Sequence, residues 1–175
     1  LAFAARGRTL LLECDVRRGE LTKTMGLGKT PGLTDVVTAQ AQLKDAVLAD
    51  ANVDNLFVLG AGTSPPNPLE VLSSKRFKAV LDSLRQQFDY VVLDGPPLLP
   101  VSDSVVLANS VDTVLFCVQT DRITYDLARD ALKRLQAVRV QPLGVVLQQV
   151  DLQRLRRYSG RYRDQYVGYY GYQRG

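Results

Sequence analysis

The chain has 175 residues, 46% of them hydrophobic, which supports one sizeable core and hardly two. It has no histidine and only two cysteines, Cys14 and Cys117, each inside an apolar run. That excludes a cysteine–histidine metal centre and reads as buried, reduced thiols of a reducing compartment. The net charge of +4 is local, because six arginines between Arg154 and Arg174 face one acid, Asp164, leaving the preceding body near neutral.

Short β-rich runs alternate with helical stretches along the chain. Strands are expected at Thr9–Cys14, Asn55–Leu59, Tyr90–Leu93, Thr113–Val118 and Gly144–Leu147, with runs such as TLLLEC, YVVL and TVLFCV. Nearly continuous apolar runs are how strands read when helices cover both faces of a sheet. Ser74–Gln87 and Ile123–Val138 carry Leu, Ala and Val at helical spacing. The alternation predicts an α/β fold with a doubly wound, mostly parallel sheet over residues 1–150. No apolar run approaches the roughly 20 residues of a membrane-spanning helix, and no signal peptide is recognisable, so the segment is expected to be soluble.

Ligands of doubly wound sheets bind where the strands end. Two strand ends here carry carboxylates. LLLECDVRR ends in Glu13, Asp15, Arg17 and Arg18, and VVLDGPPLLPVSD places Asp94 before a Gly95-Pro96-Pro97 turn. A carboxylate directly after a buried strand suits Mg²⁺ or its water shell. A single such Asp could equally cap the next helix, but two on one sheet are harder to explain that way.

Gly26–Thr30, GLGKT, imitates the end of a P-loop. The pattern GxxxxGK[ST] requires a glycine where Lys23 stands, a strand before it and a helix starting on the threonine. No buried strand precedes GLGKT and Pro31-Gly32 follow it, so no phosphate cradle is expected there.

Residues 151–175 differ from the rest. Six of the eight tyrosines, Tyr158, Tyr162, Tyr166, Tyr169, Tyr170 and Tyr172, fall in YSGRYRDQYVGYYGYQRG, which holds no Leu, Ile, Phe or Met. Such a stretch has little apolar surface to offset the entropy of ordering and is expected to be a mobile tail. It reads either as a substrate for phosphoryl transfer or as a sticky Arg/Tyr segment. As the latter it could rest on lipid, nucleic acid or an acidic neighbour.

These elements, in order, resemble the bacterial tyrosine autokinases. LLLECDVRR is similar to their second Walker element (roughly LLIDADLRRP), and VVLDGPPLLPVSD to their Walker B element (roughly VIIDTPPVLPVTD). GTSPPNPLEVLSSKRFKAVLDSLRQQFDYVVLD follows their PPNPxELLxS…LxxLxxxFDxVIID passage, GLTDVV their GLSDVL, and the tyrosine-rich end their autophosphorylation tail. The resemblance runs from about Leu1 to Tyr172 and is closest to the cytoplasmic kinase domain of the capsule and exopolysaccharide co-polymerase type.

That resemblance implies a P-loop NTPase fold of the deviant-Walker, MinD/ParA-like kind. It also implies that LAFAARGRTLLL is the end of the helix after the P-loop, so that the P-loop strand and its lysine are missing. A piece without them is expected to bind ATP poorly and, with a sheet edge exposed, to be poorly soluble. The implied cofactors are ATP and Mg²⁺. Asp15 and Asp94 take the metal-binding and catalytic carboxylate positions, and Arg17 that of the catalytic arginine. Glu13 stands where the family has its first Asp, and Gln148 where it has an adenine-contacting Asn. Gly95 replaces the usual Thr. The six tail tyrosines are the implied phosphorylation sites.

The implied partners are further copies in a ring with tails exchanged in trans, a membrane activator or co-polymerase domain in cis or in trans, and a cognate tyrosine phosphatase. No specific nucleic acid is implied. The implied location is the cytoplasmic face of the bacterial inner membrane. A ParA- or MinD-like scaffolding ATPase, which shares the fold but not the tail, is the alternative.

Overall fold

In the computed structural model, which describes residues 1–151, the first apolar run becomes strand β1, Thr9–Glu13. Leu10 and Leu12 on one face and Thr9 on the other are buried, so the run is covered on both sides. The described residues divide into two compact units, the first Leu1–Asp112 and the second beginning at Thr113. The tail tyrosines, Tyr158 to Tyr172, lie outside the described residues.

The first unit continues through α1 (Glu20–Thr24), α2 (Leu33–Val37), α3 (Leu43–Ala46), β2 (Leu48–Ala49), β3 (Leu56–Leu59), α4 (Pro68–Ser73), α5 (Lys75–Gln87), β4 (Tyr90–Asp94) and α6 (Asp103–Ala108). Its sheet runs β2-β3-β1-β4. β1 is parallel to β3 and β4, and the two-residue β2 adds antiparallel to β3, so the sheet is mixed. Phe77, Leu81 and Leu84 recur at helical spacing on α5 and are all buried in the core with Leu10, Leu12, Leu59 and Leu72. Ser74 starts α5 by accepting from the Phe77 amide at 3.0 Å. At the opposite end of the sheet from the carboxylates, the Arg8 guanidinium lies 4.7 Å from the Phe57 ring centre, and the Arg8 amide donates to Asp89 at 2.8 Å.

The second unit contains β5 (Leu115–Gln119), α7 (Tyr125–Ala137) and β6 (Gly144–Gln148), with β5 and β6 parallel. A parallel pair needs a crossover, and α7 supplies it, turning Ala131 and Leu135 inward. The strands therefore form two sheets, where the alternation of the sequence predicts one. The five long strands are where the apolar runs place them, shifted by at most two residues. The two-residue β2 and the short helices α1 to α3 carry too little periodicity to be foreseen.

GLGKT lies in turns between α1 and α2, with Lys29 exposed, and the next helix begins only at Leu33. It has neither the strand nor the helix that a phosphate cradle requires.

Candidate active site

Glu13 and Asp94 are partners on the last rung of the β1–β4 ladder. Beyond that rung the chain stays with β4 for two more residues, because the Asp94 carbonyl accepts from the Cys14 amide at 2.8 Å and from the Asp15 amide at 3.2 Å. Asp15 is thereby fixed beside Asp94 through its backbone. Cys14, between the two acids, is fully buried; burial first, then the negative charges of Asp94 and Glu13, pushes its thiol far above the ordinary range.

A tight turn follows. Asp15 Oδ1 accepts from the Arg18 amide at 3.2 Å and the Asp15 carbonyl accepts from the Gly19 amide at 2.9 Å. Gly19 takes the left-handed conformation (φ 58°) that closes this turn, and it offers no side chain to cap α1. Glu13 takes over that task from the neighbouring strand. Its Oε1 accepts from the Leu21 amide at 2.8 Å, and its Oε2 accepts from the Thr22 amide at 2.7 Å and from the Thr22 hydroxyl. A carboxylate on the first-turn amides of a helix is a favourable charge-assisted arrangement. Thr22 Oγ1 in turn accepts from the Ala61 amide at 2.8 Å, tying α1 to the chain leaving β3. The extra methylene of Glu13 gives the reach that this cap uses.

Arg17 turns towards α6. Its Nε donates to Asp103 Oδ2 at 2.7 Å and its Nη2 to Oδ1 at 3.4 Å. The Asp103 side chain is 2% exposed and that of Arg17 43%. The Ser104 hydroxyl, one residue on, donates to the Pro96 carbonyl inside the turn that follows Asp94.

Of the foreseen residues, the structure brings Glu13, Asp15 and Asp94 to one end of the sheet, with Arg17 beside them on the loop. Asp94 ends its strand exposed. Partial removal from water, with the charges of Glu13 and Asp15, raises its carboxyl above the ordinary aspartate value. Such an accumulation of negative charge from hard oxygen donors fits Mg²⁺, which is usually held by one or two carboxylates plus phosphate oxygens and water. Among the described residues no group of three or more possible metal ligands is assembled. Gln148 ends β6 in the second unit, on the rung it shares with Gln119.

Two residues were not foreseen. Asp103 sits inside the VVLDGPPLLPVSD run but reads there as an ordinary residue at a helix start. Thr22 has no sequence signal at all, since its importance comes from Glu13 and Ala61, 9 and 39 residues away.

No protein-family model matches the chain. It is similar to EpsB of Ralstonia nicotianae, 35% identical over 164 residues, which is 93% of this chain and 22% of EpsB. It is also similar to the tyrosine-protein kinase CpsD of Streptococcus pneumoniae serotype 4, 32% identical over 153 residues, 86% of this chain and 67% of CpsD. The crystal structure of the VpsO kinase domain matches with a TM-score of 0.82 at 33% identity, covering 86% of this chain and 74% of that one. The cell division ATPase MinD of Pyrococcus furiosus matches at 22% identity with a TM-score of 0.68, a likeness of fold alone. The chain therefore has the α/β fold of P-loop NTPases, and it spans about a fifth of the length of EpsB.

Proposed function

Since the chain belongs to the bacterial protein-tyrosine kinase family, we propose that the full-length protein transfers the ATP γ-phosphoryl group to tyrosines of its own C-terminal segment. The observation that carries this reading is the pair Asp15 and Asp94, just beyond β1 and at the end of β4, held side by side by hydrogen bonds from the Cys14 and Asp15 amides to the Asp94 carbonyl. Asp15 and Asp94 would hold Mg²⁺, which supplies neutralisation of phosphate charge in such a reaction. Asp15 accepts the proton of the attacking phenol, whose pKa near 10 keeps it protonated at neutral pH. The new bond joins the tyrosine oxygen to the γ-phosphorus, the bond to the β-phosphate oxygen breaks, and ADP leaves. Glu13 acts on the pair through its charge, its two oxygens being engaged by α1. Gln148 is the candidate contact for adenine, since its amide offers both a donor and an acceptor.

The acceptors are Tyr158, Tyr162, Tyr166, Tyr169, Tyr170 and Tyr172. Their segment, from Arg154 onward, carries six arginines and one aspartate, a charge of +5. Each phosphate adds about −1.5 to −2, so about three events would turn it acidic. Tails entering neighbouring copies of a ring would lose their hold as that charge inverts. A membrane activator or co-polymerase domain, a tyrosine phosphatase and control of exopolysaccharide or capsule export at the inner membrane's cytoplasmic face complete the reading.

Phosphotyrosine mass spectrometry of the full-length protein, incubated with Mg²⁺-ATP beside an Asp15→Asn copy, tests it. Phosphate on Tyr158 to Tyr172 that disappears in the variant is the expected result. Unmodified tyrosines in both, with ATP hydrolysis retained, would overturn it in favour of a MinD-like ATPase.

A further inference from the structure

Arg17 and Asp103 are 86 residues apart in sequence and joined by two hydrogen bonds in space. Each stands close after one member of the carboxylate pair. Arg17 is two residues past Asp15, and Asp103 opens α6 after the eight-residue loop that follows Asp94. With the Cys14 and Asp15 amides on the Asp94 carbonyl, this ion pair closes a ring through both loops. One side of the ring is backbone and the other is the guanidinium–carboxylate fork. The Ser104 hydroxyl on the Pro96 carbonyl fastens the same loop from within.

The charge balance assigns the two residues different weights. Asp103 is almost wholly buried, and a buried carboxylate is tolerated only when paired and hydrogen-bonded. Arg17 is that partner, and its planar fork matches the carboxylate in a way a lysine cannot. A guanidinium neutralised in this way is poorly suited to be the cation that meets phosphate oxygens. Its position instead fixes the loop carrying Asp15 against the loop leaving Asp94.

We infer that Arg17 and Asp103 are a positioning pair that sets the spacing of Asp15 and Asp94, and so the affinity of the site for its divalent cation. The inference rests on the kinase reading for the identity of the site, and it reassigns Arg17 from a catalytic to a positioning role. Outer groups that orient metal-binding carboxylates are typically worth about 10- to 100-fold in metal affinity.

The test uses the full-length protein with Mn²⁺ as probe, titrated by electron paramagnetic resonance in the presence of ADP. The Mg²⁺ dependence of tyrosine phosphorylation is measured beside it, and circular dichroism confirms folding. Arg17→Lys and Asp103→Asn should each weaken Mn²⁺ binding about 10-fold and raise the half-saturating Mg²⁺ by a similar factor. The double variant Arg17→Leu/Asp103→Leu, which leaves no buried charge unpaired, should fold at least as well as the weaker single and still bind Mn²⁺ about 10-fold more weakly than wild type. It also decides the matter should either single variant fail to fold. Folded variants with wild-type Mn²⁺ affinity would overturn the positioning role while leaving the kinase reading intact. A wild-type protein that neither binds Mn²⁺ nor phosphorylates its tyrosines would overturn both.

Discussion

Glu13 and Asp94 face each other across the last rung of β1 and β4, yet one is 1% exposed and bound by three donors while the other ends its strand in the open. Register alone makes them equivalent; what separates them is α1, whose first turn folds back over Glu13. Two carboxylates at one height of the sheet thus do different work. Glu13 holds the first turn of α1 beside the Asp15 loop, and Asp94 is left open at the strand end.

Replacing Glu13 by Gln should therefore read out first as stability. An amide presents one acceptor oxygen where the carboxylate presents two, and its NH₂ would face a backbone N–H. Leaving such a buried donor unpaired should cost about 2–4 kcal/mol, seen as a lower midpoint in urea unfolding. Glu13→Asp should also lose stability, because the shorter arm retreats from Leu21 and Thr22. A midpoint equal to wild type in both would show that the cap on α1 contributes nothing.

Asp94→Asn should gain stability where it loses activity. The folded state holds the Asp94 proton more tightly than the unfolded chain does, since partial burial, Glu13 and Asp15 all disfavour its charge. Stability is then lost as pH rises from the ordinary aspartate value through the raised folded one. In metal-free buffer the variant should lack that loss and be more stable at neutral pH by under about 1 kcal/mol, the exposed position screening the repulsion. Thermal melts of both proteins between pH 3.5 and about 7 check the crossing expected from this linkage.

Gly32→Ala should damage the site from a distance. A Cβ there would stand 2.1 Å from the Gly62 nitrogen and 2.6 Å from the Gly60 oxygen, both backbone atoms that cannot swing aside. That chain segment contains Ala61, whose amide donates to Thr22, which in turn donates to Glu13. A loss of about 1–3 kcal/mol is expected, with faster hydrogen exchange at the Leu21 and Thr22 amides. Unchanged exchange at those amides would break the proposed link.

The two cysteines should separate cleanly. Cys14 is buried as its apolar run predicts, with its thiol held protonated, whereas Cys117, expected to be buried on the same ground, is exposed on β5. A disulfide-exchange reagent should therefore titrate one thiol per native chain and the second only in denaturant, because the thiolate is the reacting form. Two fast thiols in the native protein would contradict the burial of Cys14.

Local chemistry in the sequence was enough to place the long strands, because an apolar run of five or six residues bounded by polar turns has few other uses. It was enough to place Asp15 and Asp94 at one end of the sheet, since a carboxylate close after such a run lands at the carboxyl end of a parallel strand. It also sufficed to dismiss GLGKT, whose neighbours cannot form the strand and helix that a phosphate cradle needs. What the sequence could not reveal was how Glu13, Arg17 and Asp103 are used. Glu13 is adjacent to the site in sequence but serves α1, through bonds that exist only once Gly19 has turned the chain back. Arg17 finds its partner 86 residues away, across two loops whose approach depends on β1 pairing with β4. Periodicity and turn chemistry act over a few residues, whereas the partner of a buried charge is chosen by whatever the folded sheet brings within about 3 Å of it.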